Sequence, residues 1–267
     1  MDEIRCISAS PSHLFVAVPG GVYVLGRFDY SYVRCLNRAD GIEGEVELCA
    51  WNPGRANLIV TTGSRVYEYS GISDRLSQLF PPFSEVRSIG IADAAYFDTD
   101  KGLFKRHRTL AEFEPIQNLP RNVVWYGERD TSRPQDYPFL NPYFVTDEQL
   151  NQYPISKVRP DLVRRKLFAV APGYGLLVYS LFSGTRETLI RLGPADRTQN
   201  FVRFDGQLWF MTPGRSTAFD PLGQWRYFFT RPGDLPQTTS RLLHRSITDL
   251  IRNERLFCVL AESVPPA

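Results

Sequence analysis

Short apolar runs alternate with turn residues along this chain, and the alternation repeats. "HLFVAVPGGVYVLGRF", at 13–28, is two strand-like apolar stretches around a Pro-Gly-Gly break. Variants return as "NLIVTTGSRVYEYSG", "AAYFDTDKGLFKRHR", "KLFAVAPGYGLLVYSL" and "QLWFMTPGRSTAFDP", and "RLFCVLAESVPPA" starts the phrase again near the end. The break glycines Gly21, Gly63, Gly102, Gly175 and Gly214 stand 42, 39, 73 and 39 residues apart. The long interval is close to two periods, which implies either an insertion or a degenerate unit.

Another strand-like run precedes most copies ("EIRCISASPS", "EVELCAWNPG", "EVRSIGIAD", "TQNFVRFDG", "SITDLIRNE"). A polar-alternating run follows ("SYVRCLNRA", "RLSQLF", "RETLIRL", "QWRYFFT"). Each unit reads as four short strands in about 40 residues, with Gly, Pro, Asp and Asn at the joints. The two inner runs are nearly continuous in apolar residues, as strands buried on both faces are, while the outer ones alternate. A generic sandwich or barrel would not need one phrase in five or six places. The pattern therefore predicts an all-β chain, a single β-propeller of four-stranded blades over 1–267. Six or seven blade positions fit best, within a range of five to seven, with one or two blades incomplete.

Within this scheme, about 122–165 is the long insertion or degenerate blade, its irregular part spanning 128–166, and 246–267 is a partial terminal blade. "NVVWYGERD" reads as the first strand of a hidden unit and "NPYFVTDEQ" as its second. Ser240 begins a short helix or loop to about 244. Glycine at each hairpin joint supplies the positive φ that a tight turn needs.

"DEIRCISASPSHLFVAVPGGVYVL" and "SITDLIRNERLFCVLAES" resemble the short two-component-regulator-type propeller repeat: an I-x-x-I strand, an Asp/Asn-rich turn, L-W-V-G-T, then a Gly-Leu strand. Phe15, Phe168, Trp209 and Phe257 take the aromatic position after Leu, and "DKGLF" at 100–104 matches the Gly-Leu step. The W-x-G-T step is nowhere intact, and WD40 repeats are more distant because the G-H and W-D dipeptides are missing. The resemblance implies a propeller and, by analogy, ligand sensing or protein interaction.

Composition narrows the function. Apolar residues make up 43% and charged residues 22%, with a net charge of +2 and pI near 8.3. That near-balance argues against a dedicated nucleic-acid binder. Cys6, Cys35, Cys49 and Cys258 lie in apolar runs without C-x-x-C spacing, so they read as buried free thiols rather than a zinc site or disulfide framework. Together with a start lacking an apolar leader, they point to the cytoplasm. No run approaches the ~18 apolar residues of a membrane span.

No catalytic constellation, metal site or cofactor motif stands out. His13, His107 and His244 are far apart in sequence, Asp98 and Asp100 read as a polar hairpin turn, and Glu112 and Glu114 as a solvated strand face. The excursion 128–166 draws attention instead, because binding residues concentrate on long segments carried by rigid scaffolds. Its Tyr137, Phe139, Tyr143, Phe144, Tyr153, Arg159, Arg164 and Arg165 are of types enriched at interaction hot spots. They are the candidate partner-binding residues, unless the aromatics simply pack the excursion onto the ring. The expected function is a non-enzymatic interaction or scaffold module in a larger protein assembly, with other protein subunits as partners. The alternative is a small-molecule or sugar-binding sensor using the axial mouth, with hydrolase or lyase activity as in other propellers. That alternative requires charged and aromatic residues from different units to converge on one mouth.

Overall fold

The computed structural model describes residues 3–63, 65–106, 112–147 and 150–192, together with the backbone of the strands in 200–263. Among these, ordered structure is strands and three short 3-10 turns. The apolar–break–apolar phrases fold into hairpins and the flanking runs pair onto them. Sheet I is β1 (Cys6–Ala9), β2 (His13–Val18), β3 (Gly21–Gly26) and β4 (Tyr32–Leu36), paired in that order. Sheet II is likewise β5 (Val46–Asn52), β6 (Asn57–Thr62), β7 (Arg65–Ser70) and β8 (Arg75–Leu79). Sheet III contains β9 (Val86–Ile91), β10 (Ala95–Thr99), β11 (Gly102–Arg106) and β12 (Phe113–Pro115), and gains a fifth strand, β13 (Val124–Gly127), on the free edge of β9. A small hairpin, β14 (Phe144–Thr146) and β15 (Gln152–Pro154), leads into sheet IV: β16 (Lys157–Asp161), β17 (Lys166–Ala171), β18 (Gly175–Ser180) and β19 (Arg186–Ile190).

These elements form one compact unit, Asp2–Leu189. A second unit, Ile190–Ala267, holds the four-stranded β20 (Asn200–Phe204), β21 (Gln207–Thr212), β22 (Arg215–Phe219) and β23 (Trp225–Phe229). It also holds the hairpin of β24 (Arg245–Asn253) and β25 (Leu256–Ser263). The turn or helix expected at 240–244, and His107 and His244, lie outside the described residues.

Burial follows the sequence pattern. Every residue of β6 is buried, as are Leu14–Val18 of β2 and Leu167–Ala171 of β17, whereas β8 is mostly exposed. Side chains on both faces of a middle strand leave water only if a neighbouring sheet covers each face. One apolar cluster accordingly runs through sheets I, II and III, from Phe15 and Val24 through Leu58 and Tyr67 to Phe97 and Phe104. Links between consecutive sheets recur at one repeat period. Arg5 donates to Glu45, 40 residues on, and Arg106 makes two hydrogen bonds, 3.0 and 3.2 Å, to the carboxylate of Glu68, 38 residues back. The backbone N–H of Trp51 donates to Ser8 Oγ, 43 residues back. The all-β, propeller-like array of antiparallel sheets expected from the repeat is thus present.

Two sequence expectations need correction. "NVVWYG" does not open a hidden blade: β13 pairs antiparallel with β9, Trp125 opposite Gly90 and Tyr126 opposite Ile89. A Cβ at Gly90 would sit 2.5 Å from Val123 Cγ1 and 2.9 Å from the Trp125 ring, so glycine is what allows this strand and its indole to lie there. Nor does the excursion run to 166, because Lys157–Asp161 is the first strand of sheet IV. Pro160 disguised it, since proline in a strand signals a break, yet an edge strand tolerates the missing donor.

Gly90→Val should therefore destabilise the chain by about 1–3 kcal/mol through overpacking. Gly71→Ala, whose Cβ meets nothing within 4 Å, should be near neutral. Urea unfolding monitored by tryptophan emission compares the two.

Candidate functional site

The first strands of the four sheets gather around β13. β1 packs beside β5 and touches β16, β5 packs beside β9, and β13 lies against both β9 and β5. Tyr126 on β13 is held from two sides. Ser8 Oγ of β1 donates to its hydroxyl at 3.1 Å, and the Arg159 guanidinium of β16 stacks 3.9 Å from its ring centroid. Arg159 also donates to the Trp125 carbonyl at 2.8 Å and to Asp130 at 3.1 Å. Burial pushes that guanidinium down, but Tyr126 and Asp130 outweigh it, so the group stays charged.

At the C-terminal ends of β1, β5, β9 and β16 opens a cleft of roughly 860 Å3. Its apolar walls include Trp51, Ile91 and Trp125; the Trp51 ring stacks on Phe15 with centroids 5.8 Å apart. Its charged lining is four arginines, Arg27, Arg129, Arg159 and Arg164, against two carboxylates, Asp130 and Asp161. Arg27 Nε donates to Asp161 at 3.1 Å, and its other nitrogens bond the same carboxylate and the Ser10 carbonyl. Both partners of this pair are buried, and they join sheet I to sheet IV across 134 residues of sequence. Arg129 pairs with Asp98 and lies 5.0 Å from the centroid of the Trp125 ring. At the other ends of the same strands a smaller cleft, roughly 530 Å3, carries Glu3, Glu47 and Glu128 beside Arg5 and Lys157.

Asp130 and Asp161 are each engaged by an arginine, Arg159 and Arg27 respectively. Among the described residues no group of three or more His, Cys, Asp or Glu side chains is placed to hold a metal ion. Asp100, in the β10–β11 turn, accepts from the backbone N–H groups of Ser84 and Glu85 just before β9, at 3.2 and 3.1 Å.

The eight residues singled out in sequence divide. Tyr137, Tyr143 and Tyr153 pack against the core of sheet IV through Leu140, Val145 and Ile155. Burial pushes the Tyr137 phenol up, while the Tyr153 hydroxyl donates to Asp147 at 3.0 Å and its ring lies 5.2 Å from that of Tyr174. The Phe139 ring sits 6.0 Å from Tyr179, and Phe144 is half-buried on β14. Arg159 and Arg164 reach the cleft. Arg165 is an exposed turn residue with φ of 54°. Sequence reasoning missed Trp51, Arg27 and Asp161, which lie on three different repeats and share no local motif.

No family model and no curated protein matches this chain. Similar solved structures include the extracellular domain of the two-component system BT4673 from B. thetaiotaomicron, with 15% identity over 86% of this chain and 28% of that one, TM-score 0.36. PorZ, a surface component of the type-IX secretion system of Porphyromonas gingivalis, is 11% identical over all of this chain and 39% of its own, TM-score 0.38. Saccharomyces cerevisiae Sqt1 is 10% identical over 94% and 88%, TM-score 0.36. The chain thus spans well under half of the first two. Such TM-scores carry no argument about ligand or activity. The cytoplasmic location expected from the cysteines is not upheld: the BT4673 domain is extracellular and PorZ is a surface component. A thiol such as Cys49, fully buried in the sheet I–III core, is a packing residue that says nothing about compartment.

Removing one partner of the buried pair leaves the other uncompensated. Asp161→Ala should cost about 3–5 kcal/mol, and the double change Arg27→Met, Asp161→Leu distinctly less; chemical denaturation of the three proteins checks this. Burial also pushes the Cys49 thiol well above its usual range. The Cys6 thiol is instead lowered by its hydrogen bond with Cys49, so burial alone shields it; a maleimide at neutral pH should label half-buried Cys35 and spare Cys6 and Cys49 until denaturant is added, as peptide mapping will read.

Proposed function

We propose that the chain is a non-enzymatic interaction module of a larger protein assembly, and that the cleft beside β13, with its rim, is the surface it uses. One observation carries this reading. At the rim, the tip of the β16–β17 turn presents Leu162 and Val163 at 77% and 88% exposure, and Arg164 lies over Phe28, itself 75% exposed. Single exposed apolar side chains need no explanation, but several beside a preformed cleft mark an interaction site. The charged walls come from sheets I and IV and the segment after β13, so the site exists only when these are assembled. The five aromatics of 128–166 brace that segment on sheet IV in this reading, and Arg159, Arg164 and Arg165 remain on the partner side. One propeller over 1–267, with a partial blade at 246–267, belongs to the same proposal.

A second reading, a small-molecule or sugar sensor at the same mouth, has its own support. The cleft volume falls within the range of ligand pockets, and the Trp51 indole N–H is buried there without an acceptor among the described residues.

Hydroxyl-radical footprinting of the protein in native extract, against the purified protein, tests the first reading. Phe28, Leu162 and Val163 should be protected several-fold in the extract, while Ile72 and Phe182, equally exposed elsewhere, stay reactive. A rim as reactive in the extract as in isolation would remove the proposal.

A further inference from the structure

We infer that the cleft and its rim take an acidic peptide segment carrying an aromatic or large aliphatic side chain; this rests on the interaction-module reading. The charge argument comes first. Of the four lining arginines, Arg27 and Arg159 are committed to Asp161 and Asp130. Arg129 is bound on one side to Asp98, which is not part of the lining, and is still 41% exposed. The Arg164 backbone N–H donates to Asp161 at 3.3 Å, but its guanidinium has no carboxylate partner among the described residues. It donates to the Pro11 carbonyl at 3.3 Å, and its guanidinium carbon lies 3.8 Å from the Phe28 ring centroid. A guanidinium flattened on an aromatic face keeps its remaining N–H donors directed outward at little entropic cost, in the fork that a carboxylate matches. The rim therefore offers two positive groups with unspent donors and no lysine.

The apolar argument sets the rest of the ligand. Trp51 and Trp125 line the interior, where a flat or branched apolar side chain gains most from burial. Leu162 and Val163 carry the apolar lining out to the cleft mouth and exposed Phe28 lies beyond it, so a ligand confined to the cleft would leave Phe28 in water. An extended chain covers both. It is read by its side chains, and one backbone acceptor of β13, the Trp125 carbonyl, is already taken by Arg159. A nucleic acid fits poorly: Asp130 and Asp161 stand in the same lining, and the chain as a whole carries only +2.

Fluorescence anisotropy on the intact chain tests this. The probes are labelled peptides of equal length that share one Trp and one Leu and differ only in flanking Glu, Ser or Lys. The Glu peptide should bind about tenfold or more tighter than the Ser peptide, the Lys peptide most weakly, and the preference should shrink with salt. Arg164→Glu should abolish that preference, and Leu162→Ser with Val163→Ser should weaken all three peptides. Arg75→Glu, on the outer strand of sheet II, should change nothing. Equal binding of the three peptides, or an unchanged preference in Arg164→Glu, would overturn the inference. So would full competition by free indole-3-acetate, which would move the occupant to a small carboxylate, or by a single-stranded oligonucleotide. If the rim is protected in extract but the peptides do not discriminate, only the ligand chemistry fails; an unprotected rim takes the interaction-module reading with it.

Discussion

A sheet whose middle strands are apolar on both faces cannot stand by itself in water, and this constraint organises the compact unit Asp2–Leu189. Val16, Ile59 and Phe97 are essentially inaccessible to solvent. Each such side chain contributes about 1.5–3 kcal/mol by leaving water, but only if a neighbouring sheet is present to cover it. The stabilisation is therefore collective across sheets, and the repeat period doubles as the spacing of contacts between neighbours. Arg5 with Glu45, and Trp51 with Ser8, each join residues about one period apart because they occupy adjacent sheets at similar depth.

The insertion turns this scaffold into something with a site. β13 adds to the free edge of β9, made possible by Gly90, and its tail is fastened by the Arg129 N–H donating to buried Ser88 Oγ at 2.9 Å. Tyr126 and Arg159 then fill the space between the first strands. What stays open is a cleft walled by tryptophans and arginines at one end and a more acidic hollow at the other. The arginines keep their positions because each is locked to a carboxylate, a carbonyl or an aromatic face, which is the kind of preorganisation that lowers the cost of recognition.

Much of the architecture could be read before the coordinates. The phrase hairpins at 13–26, 57–70, 95–106, 166–180 and 207–219 appear where the apolar–break–apolar pattern puts them, because continuous apolarity and a turn residue are local signals. β13 was not legible as an addition to β9, since edge pairing depends on a small residue thirty-odd positions away. β16 was hidden by Pro160, whose cost depends on whether the strand is an edge. The cleft was the least legible part. Arg27 and Asp161 are 134 residues apart, and nothing in either neighbourhood announces the other. The aromatics of 128–166 were conspicuous in sequence for a reason internal to the fold: Tyr137, Tyr143 and Tyr153 hold the insertion onto sheet IV. Arg164 was visible as an arginine on a long segment, but its stacking on Phe28 needed the structure.

The central claim is that sheets I, II and III stand or fall together. Native-state hydrogen exchange across increasing denaturant measures it most directly, through the slowest amides of β2, β6 and β10. Interdependent sheets predict that these amides converge on one opening free energy and one denaturant dependence. Three separate openings, each sheet losing protection at its own denaturant concentration while the others keep theirs, would contradict it.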